Sequence, residues 1–152
     1  MSHVASYMEM DDMPALIEGC RWIKAPRESE QAVETWDLEA LVGFPSKRLF
    51  WLTSIGVGQW RGRHAHRESI LATFAVAGGC RMTLDNGEEK QIVELVDDGA
   101  GLLIEPLVWH DLFDFSPSTV ILVAASTHYD ESEYIRGYGT FLEEVKARNR
   151  GR

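Results

Sequence analysis

Short apolar segments separated by turn residues fill the middle of this chain, and their spacing restricts the possible folds more than any other feature. The segments cover residues 49–55, 70–77, 80–84, 91–96, 102–104, 108–113 and 119–126. Each is too short for a comfortable helix, and turn signals recur roughly every eight to twelve residues with no helical pattern between them. Short strands joined in this way pair antiparallel, so the sequence predicts an all-β fold, an antiparallel sandwich or barrel.

Three segments make more specific predictions. Residues 70–77 are almost continuously apolar and end at Gly78-Gly79, which favours a strand covered on both faces. Asp85-Asn86-Gly87 favours a hairpin turn, because Asn and Gly tolerate positive φ, and residues 91–96 would be the return strand. Upstream, residues 33–38 alternate loosely and are predicted as a half-buried strand.

The two ends of the chain have different patterns. Residues 1–18 show no convincing period and are predicted to be a mobile lead before a single domain, residues 19–152. Near the C-terminus, apolar residues recur at three- and four-residue spacing from Tyr134 to Val145, and acidic residues precede them. This pattern predicts a helix over about residues 130–147 that packs on the barrel, with Tyr129 and Tyr134 as its anchors.

Composition excludes several classes of function. The formal net charge is −9, which argues against non-specific nucleic-acid binding, since that depends on many Lys and Arg neutralising phosphates. Cys20 and Cys80 lie far apart, so neither a zinc ribbon nor a disulfide framework is indicated. The start of the chain lacks the pattern of a signal peptide, and no apolar stretch approaches the roughly 20 residues of a membrane span. We therefore expect a cytoplasmic protein.

Two histidines, His64 and His66, lie one residue apart in a predicted strand. Side chains alternate along a strand, so both imidazoles point to the same side and converge on one small volume. Arg61, Arg63 and Arg67 crowd the same stretch, although the chain as a whole is acidic. The pattern indicates a site, and the residues alone leave metal ligation, acid–base chemistry and packing in a polar pocket open.

The spacing from Gly58 to His64 and His66 resembles the first motif of the cupin superfamily. In metal-binding cupins the position of Leu71 is a glutamate ligand, and Leu71 has no lone pair to offer a metal. A metal site would then need His110 as the third ligand, and three histidines alone can hold zinc. The main expectation is a site without metal, with the set His64, His66 and His110 as the alternative.

The run Arg61-Gly62-Arg63-His64-Ala65-His66 resembles the sugar 3,4-ketoisomerases of nucleotide-linked deoxysugar biosynthesis. Matches at Leu84-Asp85-Asn86-Gly87, Tyr129-Asp130-Glu131 and Tyr134-Ile135-Arg136 extend the resemblance over about residues 45–145. It implies a cupin jelly roll that uses neither metal nor cofactor and forms a homodimer. It also implies a thymidine-diphosphate 4-keto-6-deoxyhexose as the substrate, whose ketone moves from C4 to C3.

The resemblance also implies roles for individual residues. His66 would be the base and His64 its partner in proton transfer or enolate stabilisation, which suits imidazole because its pKa lies near neutrality. Arg61 would face the diphosphate or the developing oxyanion. The remaining predicted substrate-binding residues are Trp60, which could stack on a sugar or base, and Trp109, His110 and Arg63.

The chain departs from the family pattern at two places. Family members commonly carry a tyrosine, thought to help relay protons, where this chain has Phe50-Trp51, and glutamine near Ile70 and Leu71. Both changes remove polar groups from the expected pocket. A second hypothesis is therefore a catalytically silent protein with the same barrel, which binds a nucleotide-sugar or another anionic ligand.

Overall fold

Strands dominate the structure, a computed structural model that describes residues 9–26 and 34–152. The elements in chain order are β1 Cys20–Lys24, α1 Leu38–Val42, β2 Arg48–Leu52, β3 Arg61–His66, β4 Leu71–Ala77, β5 Gly79–Asp85, β6 Lys90–Val96, β7 Ala100–Ile104, β8 Trp109–Phe113, β9 Val120–Ala125, β10 Tyr134–Ile135 and α2 Tyr138–Arg150. The predicted all-β fold with a C-terminal helix is confirmed.

The strands form two antiparallel sheets of five strands each. The first sheet has the order β1-β7-β4-β9-β2, and the second has the order β10-β3-β8-β5-β6. The main core lies between them and includes Met82, Leu84, Leu102, Leu112 and Ile121. Because side chains alternate along a strand, every second residue of each strand contributes to this interior.

Strand β4 is buried on both faces, as its apolar sequence predicts. Leu71 and Ala75 belong to the core between the sheets. Phe74 faces the other way and packs with Val42 of α1 and with Phe44. The short helix α1 therefore covers the outer face of the first sheet.

The hairpin predicted at Asp85-Asn86-Gly87 joins β5 to β6, whose pairing runs from Gly79↔Val96 to Asp85↔Lys90. Gly87 has φ +90° and donates its N–H to Asp85 Oδ1 at 2.8 Å. This left-handed conformation suits glycine, which explains the turn.

The predicted strand over residues 33–38 is wrong for the part that the structure describes, and residue 33 lies outside the described residues. Residues 34–37 have no regular structure, and α1 begins at Leu38. Trp36 packs against the Phe74 ring, with centroids 4.8 Å apart. The apolar residues of this segment cover the sheet instead of extending it, which a loose alternation does not reveal.

The predicted start of the C-terminal helix at residue 130 is also wrong. The Asp130 side chain accepts a hydrogen bond from Ser132 N at 2.9 Å and closes a 3-10 turn over Glu131–Glu133. Tyr134 and Ile135 then form β10, which pairs with β3, and the helix begins only at Tyr138. Tyr134 is therefore a strand residue and not a helix anchor. Helix α2 packs Phe141 and Val145 against the outer face of the second sheet.

The N-terminal segment is described from residue 9 onwards. Ile17 is buried in the core between the sheets, and its N–H donates to Gln91 Oε1 at 3.1 Å. The division into a lead and one domain stays a prediction. Over residues 9–26 and 34–152, no helix has both the length and the apolar character that crossing a membrane requires.

Candidate active site

A bulge in β3 sets the position of the histidines. Gly62 and Arg63 have φ +81° and +59°, and the register with β8 shifts between Gly62 and His64 so that His64 pairs with His110. A Cβ on Gly62 would lie 2.7 Å from the His110 carbonyl oxygen. Only glycine fits this close approach, which explains the glycine in the motif.

Three imidazole rings converge in the barrel. The centroid of His64 lies 4.9 Å from that of His66 and 4.7 Å from that of His110. His64 Nε2 and His66 Nε2 are 3.2 Å apart. His66 and His110 are buried, and His64 is partly exposed. The structure thus brings His64 and His66 together as their spacing predicts and adds His110 from the neighbouring strand.

Hydrogen bonds determine which ring nitrogen carries the hydrogen. Each ring places its Nδ1 against an acceptor: His64 against Gly62 O at 3.0 Å, His66 against Glu133 Oε2 at 2.6 Å and His110 against Val108 O at 3.2 Å. Carbonyl and carboxylate oxygens only accept, so we assign the hydrogen to Nδ1 in all three rings. The Nε2 atoms are then the nitrogens that take up a proton, and one added proton can bridge the 3.2 Å contact between His64 Nε2 and His66 Nε2.

Glu133 is the buried partner of His66. Its side chain is 9% exposed, and its Oε1 accepts hydrogen bonds from Glu68 N at 2.7 Å and Ser69 N at 2.6 Å. Burial raises the pKa of Glu133, but these hydrogen bonds and the one from His66 outweigh it and lower the pKa below its ordinary value. Glu133 is therefore ionised at neutral pH and holds the His66 ring in one orientation.

The pKa values of all three histidines lie below the ordinary value. Burial, followed by the neighbouring His66, lowers the pKa of His64 to about 4. Burial also lowers the pKa of His66 against the opposing effect of Glu133, and it lowers the pKa of His110 well below the usual range. The cluster is neutral at pH 7, so its Nε2 atoms can accept protons.

We call the space beside the three imidazole rings the pocket, and aromatic and cationic side chains border it on one side. The Tyr134 ring centroid lies 4.5 Å from that of His66 and 4.9 Å from that of His64. The Tyr134 hydroxyl oxygen accepts a hydrogen bond from Arg48 Nη1 at 3.1 Å. The Arg48 guanidinium lies 5.2 Å from the Phe50 ring centroid, and that of Arg136 lies 4.7 Å from the Tyr134 ring centroid. These two guanidiniums are the ones whose charges bear on the pKa of His66.

Arg48 and Arg136 differ in their hydrogen bonding. Arg136 is about half exposed and donates to Glu131 from Nε at 2.7 Å and from Nη2 at 3.1 Å. The Nε–H of Arg48 is buried and has no hydrogen-bond partner in the described part of the chain. An oxygen atom of a ligand in the pocket would satisfy that donor.

Arg61, predicted to face the diphosphate or the oxyanion, points its guanidinium to its own loop. It donates to Trp60 O at 2.8 Å and to Gln59 Oε1 at 2.9 Å. In the register it pairs with Leu112, a core residue. Its substrate-binding role stays a prediction.

Trp60, Arg63 and Trp109, predicted to bind substrate, lie on the outer face of the second sheet and not beside the histidines. Side chains alternate on β8, so Trp109 faces outward when His110 faces inward, and Trp109 packs against helix α2. Trp60 stacks on Phe113 with centroids 4.5 Å apart, and the Arg63 guanidinium lies 5.0 Å from the Trp60 ring centroid. His110 is the member of this predicted set that reaches the site.

The motifs and spacings of the sequence do not indicate site roles for Glu133, Tyr134, Arg48 or Arg136. Glu133 is far from His66 in sequence, and the helical spacing from Tyr134 to Val145 predicts Tyr134 as a helix residue. A signal was available, because Tyr134-Ile135-Arg136 is one of the runs that match the family. Among the departures from the family, Phe50 is half-buried beside Arg48, whereas Trp51 is 62% exposed and Leu71 is a core residue.

Comparison with known proteins gives consistent results. The family described as "FdtA: WxcM-like, C-terminal" matches residues 18–146. A curated relative, the TDP-4-oxo-6-deoxy-alpha-D-glucose-3,4-oxoisomerase of Aneurinibacillus thermoaerophilus, is 36% identical over 104 residues, which are 68% of this chain and 75% of that protein.

Two solved structures are informative. QdtA, a sugar 3,4-ketoisomerase from Thermoanaerobacterium thermosaccharolyticum solved in complex with TDP, superposes with a TM-score of 0.82 at 31% identity over 88% of this chain and 98% of that one. The rmlC epimerase of Mycobacterium tuberculosis superposes with a TM-score of 0.65 at 14% identity over 80% of this chain and 70% of that one, a likeness of fold alone. The predicted cupin jelly roll is confirmed.

Proposed function

This chain belongs to the FdtA family (WxcM-like, C-terminal) and is a sugar 3,4-ketoisomerase; we propose that its histidine cluster carries the protons of the reaction. The substrate is a thymidine-diphosphate 4-keto-6-deoxyhexose, whose ketone moves from C4 to C3. One observation supports the mechanism above all others. The Nε2 atoms of His64 and His66 face each other 3.2 Å apart, and a buried carboxylate backs one of the two rings.

The first stage removes the hydrogen bound to C3, which is acidic because it lies next to the C4 carbonyl. His66 Nε2 accepts this proton, the electron pair of the C–H bond forms the C3=C4 double bond, and negative charge develops on O4. Glu133 stabilises the imidazolium that forms, because its Oε2 is 2.6 Å from His66 Nδ1. This role resembles that of the carboxylate in other histidine–carboxylate pairs, which holds the ring and its charge in place.

The second stage returns a proton to carbon, at C4, while the C3 hydroxyl becomes the new ketone. His64 Nε2, 3.2 Å from His66 Nε2, is placed to share the abstracted proton and to deliver it to the adjacent carbon. The transfer of the carbon-bound proton from C3 to C4 therefore needs no group beyond His64 and His66. His66 as the base and His64 as its partner is the assignment that the family resemblance implies.

We further propose that Arg136 binds the diphosphate. It is about half exposed, borders the Tyr134 ring and can form paired hydrogen bonds to anionic oxygens, as it already does to Glu131. A diphosphate would replace the Glu131 carboxylate or share the guanidinium with it.

Incubation with thymidine-diphosphate 4-keto-6-deoxyglucose in deuterated buffer tests the function. We expect the 3-keto product to form and deuterium to enter C3 of the recovered substrate, because abstraction is reversible. His66→Asn should abolish both signals and leave TDP binding within about threefold. Tight TDP binding by the wild type with neither signal would instead support the catalytically silent binding protein.

A second candidate is a metal-bearing form of the same pocket. His64, His66 and His110 each offer one ligand atom, and these atoms lie within 4.8 Å of one another. Each ring is oriented by an acceptor at Nδ1, which is the arrangement found around metal-ligating histidines. Stoichiometric zinc, iron or nickel in the purified protein, lost in His110→Ala, would favour this candidate. Full isomerase activity after treatment with a chelator would exclude it.

The proposal includes a homodimer in the cytoplasm. Strand β2 ends its sheet, and its outward residues Leu49 and Trp51 are 49% and 62% exposed, which offers an apolar surface to a second copy. Cys20 and Cys80 are free thiols, as is usual in a reducing compartment. Trp51→Glu should convert a dimer into a monomer in sedimentation experiments, whereas Ile92→Glu, on the edge strand of the other sheet, should not.

A further inference from the structure

We propose that the Tyr134 hydroxyl handles the oxygen-bound protons of the reaction, giving a proton to O4 and taking one from O3. It would supply the phenol that the family resemblance implies near Phe50-Trp51 and that this chain lacks there. The inference rests on the proposed ketoisomerase function and assigns a catalytic residue beyond the histidines.

The reaction moves two kinds of proton, and the histidines account for one kind. The carbon-bound proton leaves C3 and returns at C4, which the two Nε2 atoms can accomplish. In addition, O4 changes from a carbonyl oxygen to a hydroxyl, and O3 changes from a hydroxyl to a carbonyl oxygen. A hydrogen-bond donor that can also accept is needed at these oxygens, and neither Phe50 nor Trp51 offers a hydroxyl.

Backbone pairing places Tyr134 on the pocket side. Tyr134 pairs directly with His66 across β10 and β3, and directly paired residues of an antiparallel pair project to the same face. Its ring consequently lies 4.5 Å from the His66 centroid and 4.9 Å from the His64 centroid. The phenol ring thus forms the wall beside both imidazoles, and a sugar in contact with the imidazoles meets this wall.

The Arg48 side chain positions the hydroxyl. Its Nη1 donates to the Tyr134 oxygen at 3.1 Å, which leaves the hydroxyl hydrogen free to be donated to the substrate. The same cation stabilises the phenolate that exists after the proton has been given away. Arg48 itself packs over the Phe50 ring at 5.2 Å, and this contact supports the cation that holds the phenol.

The other tyrosines of the described residues, Tyr129 and Tyr138, donate their hydroxyl hydrogens to carboxylates. Tyr129 is 64% exposed and donates to Glu131 Oε2 at 2.9 Å. Tyr138 is the first residue of helix α2, on the outer face of the second sheet, and donates to Asp85 Oδ2 at 2.7 Å. Among these three, Tyr134 combines contact with the histidines with a hydroxyl that only accepts a hydrogen bond within the described part of the chain.

One phenol is enough to move the oxygen-bound protons, since the proton that O4 gains is replaced by the proton that O3 loses. As His66 takes the C3 proton and the C3=C4 bond forms, O4 takes the Tyr134 hydroxyl proton, which gives an enediol and a phenolate. The phenolate then removes the proton from O3, C3=O forms, and C4 takes the proton held by the histidine pair. O3 and O4 sit on adjacent carbons, so the same phenolic oxygen can serve both, and each group ends in its starting state.

Three variants test the assignment: Tyr134→Phe, Tyr138→Phe as the matched loss of a remote phenol, and the double variant Tyr134→Phe/Phe50→Tyr. For each, net isomerisation, deuterium entry at C3 of the recovered substrate and the Kd for TDP are measured. Tyr134→Phe should lower kcat by roughly 10²–10³-fold with the Kd for TDP within about twofold. The ratio of deuterium exchange to net turnover should rise, because an enediolate that cannot pass its proton from O3 to O4 returns to substrate.

Tyr138→Phe should keep the wild-type kcat and ratio, and the double variant should regain at least about tenfold in kcat over Tyr134→Phe. The proposal is overturned if Tyr134→Phe keeps kcat within about threefold of the wild type. It is equally overturned if exchange and turnover fall by the same factor together with TDP binding, since that is the signature of a structural role. A wild type without exchange or turnover would refute the ketoisomerase function itself and this inference with it.

Discussion

Glu133 Oε2 lies 2.6 Å from His66 Nδ1 inside the barrel and ties the turn before β10 to the proposed base. The carboxylate is in turn held by two backbone N–H groups, from Glu68 and Ser69. The orientation of the imidazole therefore depends on a residue that the histidine motif does not contain.

Replacing Glu133 by Gln should disable the base without removing the side chain. The amide oxygen can keep the two backbone hydrogen bonds, but the amide N–H₂ then faces His66 Nδ1 and drives the ring hydrogen onto Nε2. An Nε2 that carries a hydrogen no longer accepts the C3 proton, so we expect kcat to fall roughly 10²–10⁴-fold with little change in KM. Steady-state kinetics and ¹⁵N NMR of the imidazole tautomer measure the two effects. Glu144, a partly exposed partner of Arg67, provides the control variant Glu144→Gln, and an unchanged kcat in Glu133→Gln would refute the role.

Replacing Arg136 by Gln should weaken nucleotide binding more than chemistry. The guanidinium borders the pocket, and the change removes one charge and one hydrogen-bonding fork. We expect the Kd for TDP to rise about tenfold, equivalent to about 1.4 kcal/mol, with kcat within about threefold. Calorimetric titration measures the affinity. Arg81→Gln, the same change on the outer face beside Asp114, should have no effect, and equal affinity in both variants would rule out Arg136 as the diphosphate ligand.

Stability should fall on mild acidification. The pKa of His64 is lowered to about 4, and those of His66 and His110 are lowered as well, so the unfolded chain binds more protons than the folded one below about pH 6.5. The free energy of unfolding should therefore decrease as the pH falls from 6.5 towards 4. Urea unfolding of chelator-treated protein at pH 7.0, 6.0 and 5.0 measures this trend. His64→Asn should show a shallower decrease, and an identical slope in both proteins would contradict the assignment.

Truncating Phe141 should destabilise the whole domain. Its side chain is 0% exposed and packs with Trp109 and Ile135 between α2 and the second sheet. Phe141→Ala leaves a cavity there, and we expect a loss of about 3–5 kcal/mol in the free energy of unfolding. Chemical denaturation monitored by circular dichroism gives the value. Leu142→Ala, at a half-buried neighbour, should lose clearly less, and a loss below about 1 kcal/mol for Phe141→Ala would show that α2 contributes little to stability.

The strand pattern was predictable because the residues that favour each strand or turn lie within that segment of the sequence. Continuous apolarity marks β4, and Asp85-Asn86-Gly87 marks the β5–β6 hairpin through residues whose backbone preferences are intrinsic. The two wrong predictions, the strand over residues 33–38 and the helix start at residue 130, arose where the local pattern fits one element and tertiary packing favours another. Tyr134 and Ile135 fit a helical spacing, yet they add a strand to β3 because this pairs their backbone and buries Ile135.

The site divides in the same way. One intervening residue determines that His64 and His66 share a face of a strand, so their convergence follows from chain geometry alone. Folding decided the rest, because Glu133, Tyr134 and Arg48 reach the histidines across strand pairings and between sheets, over separations that no local spacing encodes. Side chains alternate along β8, so His110 faces the pocket and Trp109 faces outward beneath α2. Which of the two residues faces the pocket depended on the register between β3 and β8.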